Sequence, residues 1–461
     1  MTAISPLDGR YANSVNELRP YFSEFALQRY RVYVELEWYK LLFKDKIVSQ
    51  DDKTIEFIQS RHEYLDSIFT NFDEDAGDRV KTIEKTTNHD VKAIEYYLKE
   101  KFDEDGTKLG DLKEYLHFSC TSEDINNLSY SLMLHHSMQE VMLPQLRSLL
   151  DRLEKISDEY SEIPMMCRTH GQSATPSTVG KEFANFAYRL RRQIHKLENI
   201  EILGKFNGAT GNLNAHKVAF PDRDWLDISK NFVEGLGITW NPYTTQIECH
   251  DGVAELCLSF SLINSILIDF SRDMWGYISL GYFKQKNVAG EIGSSTMPHK
   301  INPIDFENAE GNLGLSISMF NHFAQKLPIS RFQRDLSDST VMRNLGNAFS
   351  FSMQSYKSFE KALNRIAVNE NVLRQELQVH YELLAEPVQT VMRKYEDIKD
   401  PYEKLKEFTR GRETPITTLE YEEFIQSIDG MPQSEKDNLK MLTPERYTGY
   451  ASYLAKNVKR I

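Results

Sequence analysis

This sequence predicts an all-α fold built on long helices lying side by side, and three observations predict it. Gly (22) and Pro (15) fall below average usage while 27% of residues are charged, so helix breakers are scarce and polar helix faces are well supplied. Apolar residues recur at steps of three and four over long windows. Met142, Leu146, Leu149, Leu153 and Ile156 form one such seam, and Val179, Phe183, Phe186, Leu190, Ile194 and Leu197 form another. Strand-like alternation is scant. Seams with this spacing belong to helices packed lengthwise, as in an elongated bundle.

In chain order, Ser5-Pro6-Leu7-Asp8-Gly9-Arg10-Tyr11 reads as a turn-rich leader, and Tyr30, Val34, Trp38, Leu41 and Leu42 set the first helical pattern. The polar, glycine-containing stretch from Asp103 to Gly110 marks a boundary. Thr121-Ser122-Glu123-Asp124 has the form of a capping box opening a helix. Pro144 is expected to kink the helix carrying the first seam. The helix of the second seam is expected to start at Thr175-Pro176, a third to cover 253–283, and a fourth to begin at Pro303 with Asn302 as its cap. Near Asn364 the chain becomes more charged, with turns at Asp400-Pro401 and Gly411. The expected division is therefore 1–110, an N-terminal helical segment; 111–364, the central long-helix segment; and 365–461, a small helical cap.

A chain of 461 residues can bury a substantial core. Its net charge of −13 argues against a general nucleic-acid or anionic-membrane surface. It leaves open a small anionic substrate, which responds to local charge in a cleft. Cys120, Cys167, Cys249 and Cys257 show neither C-x-x-C spacing nor the density of a disulfide framework, so a reducing cytoplasm is expected. Asp8 and Arg10 stand where a signal peptide would need apolar residues. The most apolar run, Leu256 to Ile268, contains Asn264 and is short for a bilayer span; a buried helix is expected.

The stretch richest in chemistry runs from Gly290 to Pro303. Two glycines free the backbone, Ser294 and Ser295 supply adjacent hydroxyls, and Lys300 follows six residues after Ser294. From the residues alone this is either an ordinary Gly/Ser surface loop or a hydroxyl-rich loop feeding a helix N-terminus, where anions are favoured. Arg168-Thr169-His170-Gly171-Gln172 is glycine-broken and polar, and reads as a loop. Asn207-Gly208-Ala209-Thr210-Gly211-Asn212 lacks the lysine and spacing of a phosphate loop and reads as a turn between helices. No H-E-x-x-H or cysteine cluster argues for a metal, and His135-His136 is a poor chelate. No metal and no cofactor are expected.

Gly293-Ser294-Ser295-x-Met297-Pro298-x-Lys300-x-Asn302 resembles the signature of the fumarase/aspartase superfamily, whose members release fumarate. His299 is similar to the adenylosuccinate lyase branch. So are Gly9-Arg10-Tyr11, Thr86-Thr87-Asn88-His89-Asp90, Thr121 to Asp124, Arg168 to Gln172, and Arg331 to Arg343, in the order of that family. The resemblance covers essentially the whole chain and looks closest to the bacterial branch. It implies a three-domain, nearly all-helical fold whose central helices assemble into a homotetrameric core, each site drawing on three subunits.

The implied reaction is β-elimination of fumarate from adenylosuccinate, giving AMP, and from the purine intermediate SAICAR, giving AICAR. It needs a base for a Cβ proton, stabilisation of the aci-carboxylate, and an acid for the departing nitrogen. By resemblance Ser294 is the base, with Ser295 the competing candidate, and His170 is the acid, a role His89 could exchange with it. Arg10 and Tyr11 match positions holding the phosphate end of the nucleotide. Arg334, Ser339, Thr340 and Arg343 resemble a second phosphate and ribose set, although Arg331 to Asp335 alone would read as a solvated mixed-charge face. His89 is expected near the phosphate or carboxylate end as a supporting donor, and Asn88 and Asp90 among the substrate contacts. Thr121 and Ser122 are expected as carboxylate donors as well as caps. Gln246 is expected on the succinyl carboxylate or base, Lys300 and Asn302 on carboxylates, and Asn308 among the substrate contacts. Argininosuccinate lyase, fumarase or aspartase activity, or a non-catalytic helical relative, are the competing readings. His299 and the Gly9-Arg10-Tyr11 leader favour the nucleotide.

Overall fold

The computed structural model describes residues 2–286, 297 and 299–460. Its regular structure is nearly all helix, with three two-stranded sheets among the described residues. It divides into two compact units. One comprises Met1–Leu146, Ile194–Ser265 and Asn312–Ser355; the other comprises Arg147–Gln193, Ile266–Gly311 and Tyr356–Ile461. Several cuts fall inside long helices.

In the first unit, helix Glu24–Lys44 starts at Ser23, whose Oγ accepts the Ala26 amide at 3.0 Å. It packs on Ser122–Ser137. Trp38 is fully buried, its ring 4.2 Å from that of Phe206 and 5.2 Å from that of Phe232, and its indole N–H donates to the Phe118 carbonyl. Helix Glu74–Thr87 ends at Asn88, which takes the left-handed conformation (φ 50°), and His89 caps the next helix, Asp90–Glu104. Helix Ser122–Ser137 opens with the capping box read from Thr121 and Asp124. This helix is buried nearly all round, so its polar residues find partners inside: Ser131 Oγ donates to the Leu203 carbonyl at 2.7 Å, and Asn127 bonds both the amide and the carbonyl of Lys205. Leu203–Gly204 pairs in parallel with Thr239–Trp240. A Cβ on Gly204 would lie 2.7 Å from Leu128 and 2.8 Å from Ile238, which leaves room only for glycine.

The first seam is buried from Met142 to Ile156. The irregularity expected at Pro144 takes the form of a π turn, Met138–Met142, just ahead of it. Pro144 has no amide hydrogen to give the Glu140 carbonyl, so the regular ladder is already broken there. The second seam is also buried from Val179 to Leu197, but its helix starts at Val179, not Thr175. The preceding residues form strand Gln172–Thr178, antiparallel to Pro164–Thr169. The register shifts between Met165 and Cys167, placing Thr175 and Pro176 in a bulge, where the missing proline N–H costs no ladder bond.

The apolar run belongs to helix Asp251–Ser279, shorter than the expected 253–283 at its end yet, at 29 residues, long and apolar enough to cross a membrane by length and composition alone. The thirteen-residue run thus understated it. Just over half of its apolar window is buried within the protein. Asn264 is fully buried and donates to Ser316 Oγ at 3.1 Å and Ser352 Oγ at 2.9 Å, a polar layer tying together helices Ile304–Lys326 and Leu345–Arg365. In the same unit Leu258 and Leu262, four residues apart on one helix, and Leu315 on another stand 54%, 46% and 52% exposed.

In the second unit, Phe183 and Phe186 of the second seam set their rings against Phe270 at 5.4 and 4.9 Å. The fourth long helix begins at Ile304 instead of Pro303, whose carbonyl already accepts the Phe306 and Glu307 amides. Pro303 therefore stands in the capping place that Asn302 was expected to hold. Further along, Leu384, Val388, Met392, Leu405, Tyr421, Ile425 and Leu439 close a separate apolar cluster among short helices.

Candidate active site

The first unit holds a polar cavity of about 540 Å³. It gathers Asn88, His89 and Asp90 from the joint between two helices, and Thr121, Ser122 and Asn126 from the start of a third. Gln246, Arg334, Ser339, Thr340 and Arg343 complete it from later segments. These tracts are far apart in sequence, and the fold brings them to one place. Arg10 and Tyr11 belong to the same unit but are not part of this lining. His170, Lys300, Asn302 and Asn308 belong to the second unit. Ser294 and Ser295 lie outside the described residues, as do Gly290 and Gly293.

Each cavity residue has a local reason for its place. The left-handed Asn88 turns the chain sharply enough for His89 to cap the next helix. His89 Nδ1 accepts the Lys92 amide at 3.1 Å, so its ring hydrogen sits on Nε2, which faces Ser122 Oγ at 3.5 Å. Asp90 accepts from Arg31 at 2.7 Å and from Arg343 at 3.1 Å, both on Oδ2, and from the Val91 amide on Oδ1. Burial pushes this carboxyl up, but Arg31 and its hydrogen bonds outweigh burial and hold it below its ordinary value. Arg334 donates to Gln246 Oε1 at 3.2 Å and pairs with Glu123 Oε2 at 3.1 Å. Glu123 is buried, and burial raises its carboxyl above the usual range despite Arg334.

Below the cavity, Asp124 and Lys205 form an ion pair at 2.8 Å, both side chains fully buried. Asp124 also accepts the amides of Thr121, Asn207 and Gly208 at 2.9 to 3.2 Å. One carboxylate thus fastens the Asn207 turn to the helix start that presents Thr121 and Ser122. Deeper still, the His250 ring lies 3.6 Å from Asp338, whose carboxyl is raised by burial but lowered overall by His250 and the Ser339 amide. The sequence reading missed Arg31, Glu123, Asp124, Asn126 and Lys205 as parts of the site. Glu123 and Asp124 stood in the capping-box tract; for Arg31, Asn126 and Lys205 the one signal is a charged or amide residue set among apolar neighbours, as with Arg31 and Glu35 four residues apart in Glu24–Lys44.

In the second unit, Arg168 to Gln172 is a tight hairpin more than a loop. His170 (φ 53°) and Gly171 (φ 75°) are the two central residues of its turn, and Thr169 pairs with Gln172. Both signs of φ suit the right-handed twist of the flanking strands, and the imidazole is left exposed. Arg168 anchors the hairpin to Tyr282 and Glu376. Asn308 accepts from Ser358 at 3.0 Å, and the Lys300 amide donates to the Met297 carbonyl.

What the first-unit cavity can do chemically follows from its donors. Two arginines, a helix N-terminus and an imidazole N–H converge on it, a set suited to a substrate carrying phosphate and carboxylate groups. Comparison with known proteins gives the same direction. The profile of a family described as Lyase matches residues 9–315, and that of the adenylosuccinate lyase C-terminal region matches 330–448. An adenylosuccinate lyase of Haemophilus influenzae is 53% identical over 458 residues, covering 99% of each chain. That of Escherichia coli K12 is 52% identical over 461 residues, covering 100% of this chain and 99% of the relative. Among solved structures, a fumarate lyase from Mesorhizobium superposes with a TM-score of 0.76 at 17% identity, covering 96% of this chain and 97% of the other. A β-carboxy-cis,cis-muconate cycloisomerase from Acinetobacter calcoaceticus gives 0.73, also at 17% identity, with the same shares covered. Those two likenesses speak to the fold.

Proposed function

The chain belongs to the adenylosuccinate lyase family, and we propose that it is the carbon–nitrogen lyase that releases fumarate from adenylosuccinate, giving AMP, and from SAICAR, giving AICAR. The observation carrying this reading is the first-unit cavity, whose volume of about 540 Å³ and paired arginines suit a nucleotide with two anionic ends. Arg334 and Arg343 hold anions there, the Thr121–Ser122 helix start adds amide and hydroxyl donors, and His89 offers a fixed N–H.

The elimination breaks a Cβ–H bond and the C–N bond while the nitrogen gains a proton. Ser294 takes the Cβ proton; a hydroxyl needs positive potential to act so, and Lys300 is the nearest cation in sequence. His170 gives its proton to the leaving nitrogen from a short, anchored turn, which keeps the imidazole's position well defined. Lys300, Asn302 and Asn308 bind carboxylate groups, and Arg10 and Tyr11 hold phosphate. As the family resemblance implies, the reading includes a homotetramer whose sites are shared between subunits. The exposed Leu258, Leu262 and Leu315 support it, since assembly would cover them. The division into 1–110, 111–364 and 365–461, and a cytoplasmic location for a chain whose four cysteines are free, belong to the same proposal.

The test is an absorbance assay on purified protein with adenylosuccinate and SAICAR beside aspartate, malate and argininosuccinate. Turnover of the two purine substrates alone is expected. Turnover only among the other three would assign the chain a different fumarate-releasing reaction.

A further inference from the structure

We propose that Asn126 is a positioning residue that fixes the spacing of the two cavity arginines, Arg334 and Arg343, through an unbroken chain of polar contacts. The inference rests on reading this cavity as the anion-binding part of the substrate site. From one end, Arg334 pairs with Glu123 Oε2 at 3.1 Å, and Asn126 Nδ2 donates to that same oxygen at 3.4 Å. From the other, Arg343 and Arg31 share Asp90 Oδ2 at 3.1 and 2.7 Å, and Arg31 Nε donates to Asn126 Oδ1 at 2.8 Å. The two half-chains meet at one amide.

Asn126 suits the junction because its side chain both donates and accepts, whereas guanidinium groups only donate and carboxylates only accept. Its orientation is fixed by chemistry: the NH₂ must face Glu123 and the oxygen must face Arg31. Asn126, Glu123 and Arg31 are 7%, 5% and 4% exposed, so water competes little for these bonds. Arg31, Arg334 and Arg343 against Glu123 and Asp90 leave one positive charge uncancelled when both acids are ionised. The chain therefore orders the arginines without neutralising them. Sequence gives no hint of this, since Asn126 carries no motif of its own.

Asn126→Asp keeps the shape but turns the donor into a second acceptor facing Glu123. The two carboxyls can then share one proton, and repel once it is lost. Glu123 is faced by Arg334, His250 and Lys205, which favour its charge, and by Asp338, which opposes it; Asn126 is faced by Arg31 from the Glu24–Lys44 helix. At low pH the Asp variant should match wild type in KM for adenylosuccinate, and its KM relative to wild type should rise with pH by about tenfold or more. Asn126→Ala should show a raised KM ratio at every pH. In both, kcat should stay within about threefold of wild type.

The same pattern is expected in the Kd of AMP measured by calorimetry, which needs no turnover. A KM and an AMP Kd within about twofold of wild type in both variants would overturn the proposal. So would equal, pH-independent losses, or a fall in kcat at unchanged KM. Thermal melts check folding, and Asn126→Ala carries the test where the Asp variant does not fold. Wild-type protein that binds AMP but turns over neither purine substrate would refute the proposed reaction and leave the positioning role to the AMP measurements.

Discussion

At the scale of single residues, the proposed mechanism makes its sharpest demands on two side chains. Ser294→Ala and His170→Ala should each lower kcat by about a hundredfold or more while substrate still binds, measured by steady-state assay beside calorimetry. Near-wild-type turnover in Ser294→Ala would pass the base role to Ser295. A different histidine bears on acid stability. His216 is fully buried with neither ring nitrogen hydrogen-bonded among the described residues, its ring among those of Trp38, Phe206 and Trp225. Burial pushes its pKa down to about 4. The folded state then refuses a proton that the unfolded chain accepts below about 6.5. Stability from this group is complete above that pH and declines as pH falls towards 4. Melting temperatures across this range should fall more steeply in wild type than in His216→Phe. The family tracts made Asn88 to Asp90, Thr121, Ser122 and Arg334 to Arg343 legible, and Gln246 was named beside them, as residues that converge on one cavity. Arg31, Glu123 and Asn126 were not legible, because their meaning lies in partners from other helices.

At the scale of elements, the Asp124–Lys205 lock joins a helix start to a turn that sequence reading passed over as a plain connector. Removing one partner of a fully buried pair strands the other. Lys205→Met should therefore cost about 3–5 kcal/mol, read from the urea midpoint. Adding Asp124→Asn should recover part of the loss, since it removes the stranded charge while its one amide oxygen still accepts the Asn207 and Gly208 amides, at the cost of the Thr121 bond. Helix seams were readable because burial imposes a period of three and four on the sequence. Starts and stops were less so. Thr175-Pro176 resembles a helix opening, yet a partner strand turns it into a bulge. Asn302-Pro303 resembles a cap and first residue, yet the chain enters one residue later. In the first case the deciding contact is a partner strand; in the second it is the Pro303 carbonyl, which takes up the first amides of the helix.

At the scale of the whole molecule, the proposed tetramer predicts sites shared between subunits. Mixing an inactive Ser294→Ala protein with an inactive His170→Ala protein, then unfolding and refolding them together, should restore partial activity. Light scattering should report four chains before and after. Failure to recover activity in mixed tetramers would argue for sites built within one chain. Charged substitutions at Leu258 and Leu262 should lower the assembly state without changing the helical circular dichroism of each chain.

Neither compact unit is a continuous piece of chain: each is assembled from three separated stretches, the first ending only at Ser355. During synthesis, then, the ribosome must deliver the chain through Ser355 before the first unit can close, and through Ile461 before the second can. Loops of that length close slowly and leave apolar helices waiting uncovered. A nascent chain halted near residue 265 should remain protease-sensitive and chaperone-bound, whereas one released after 461 should become resistant.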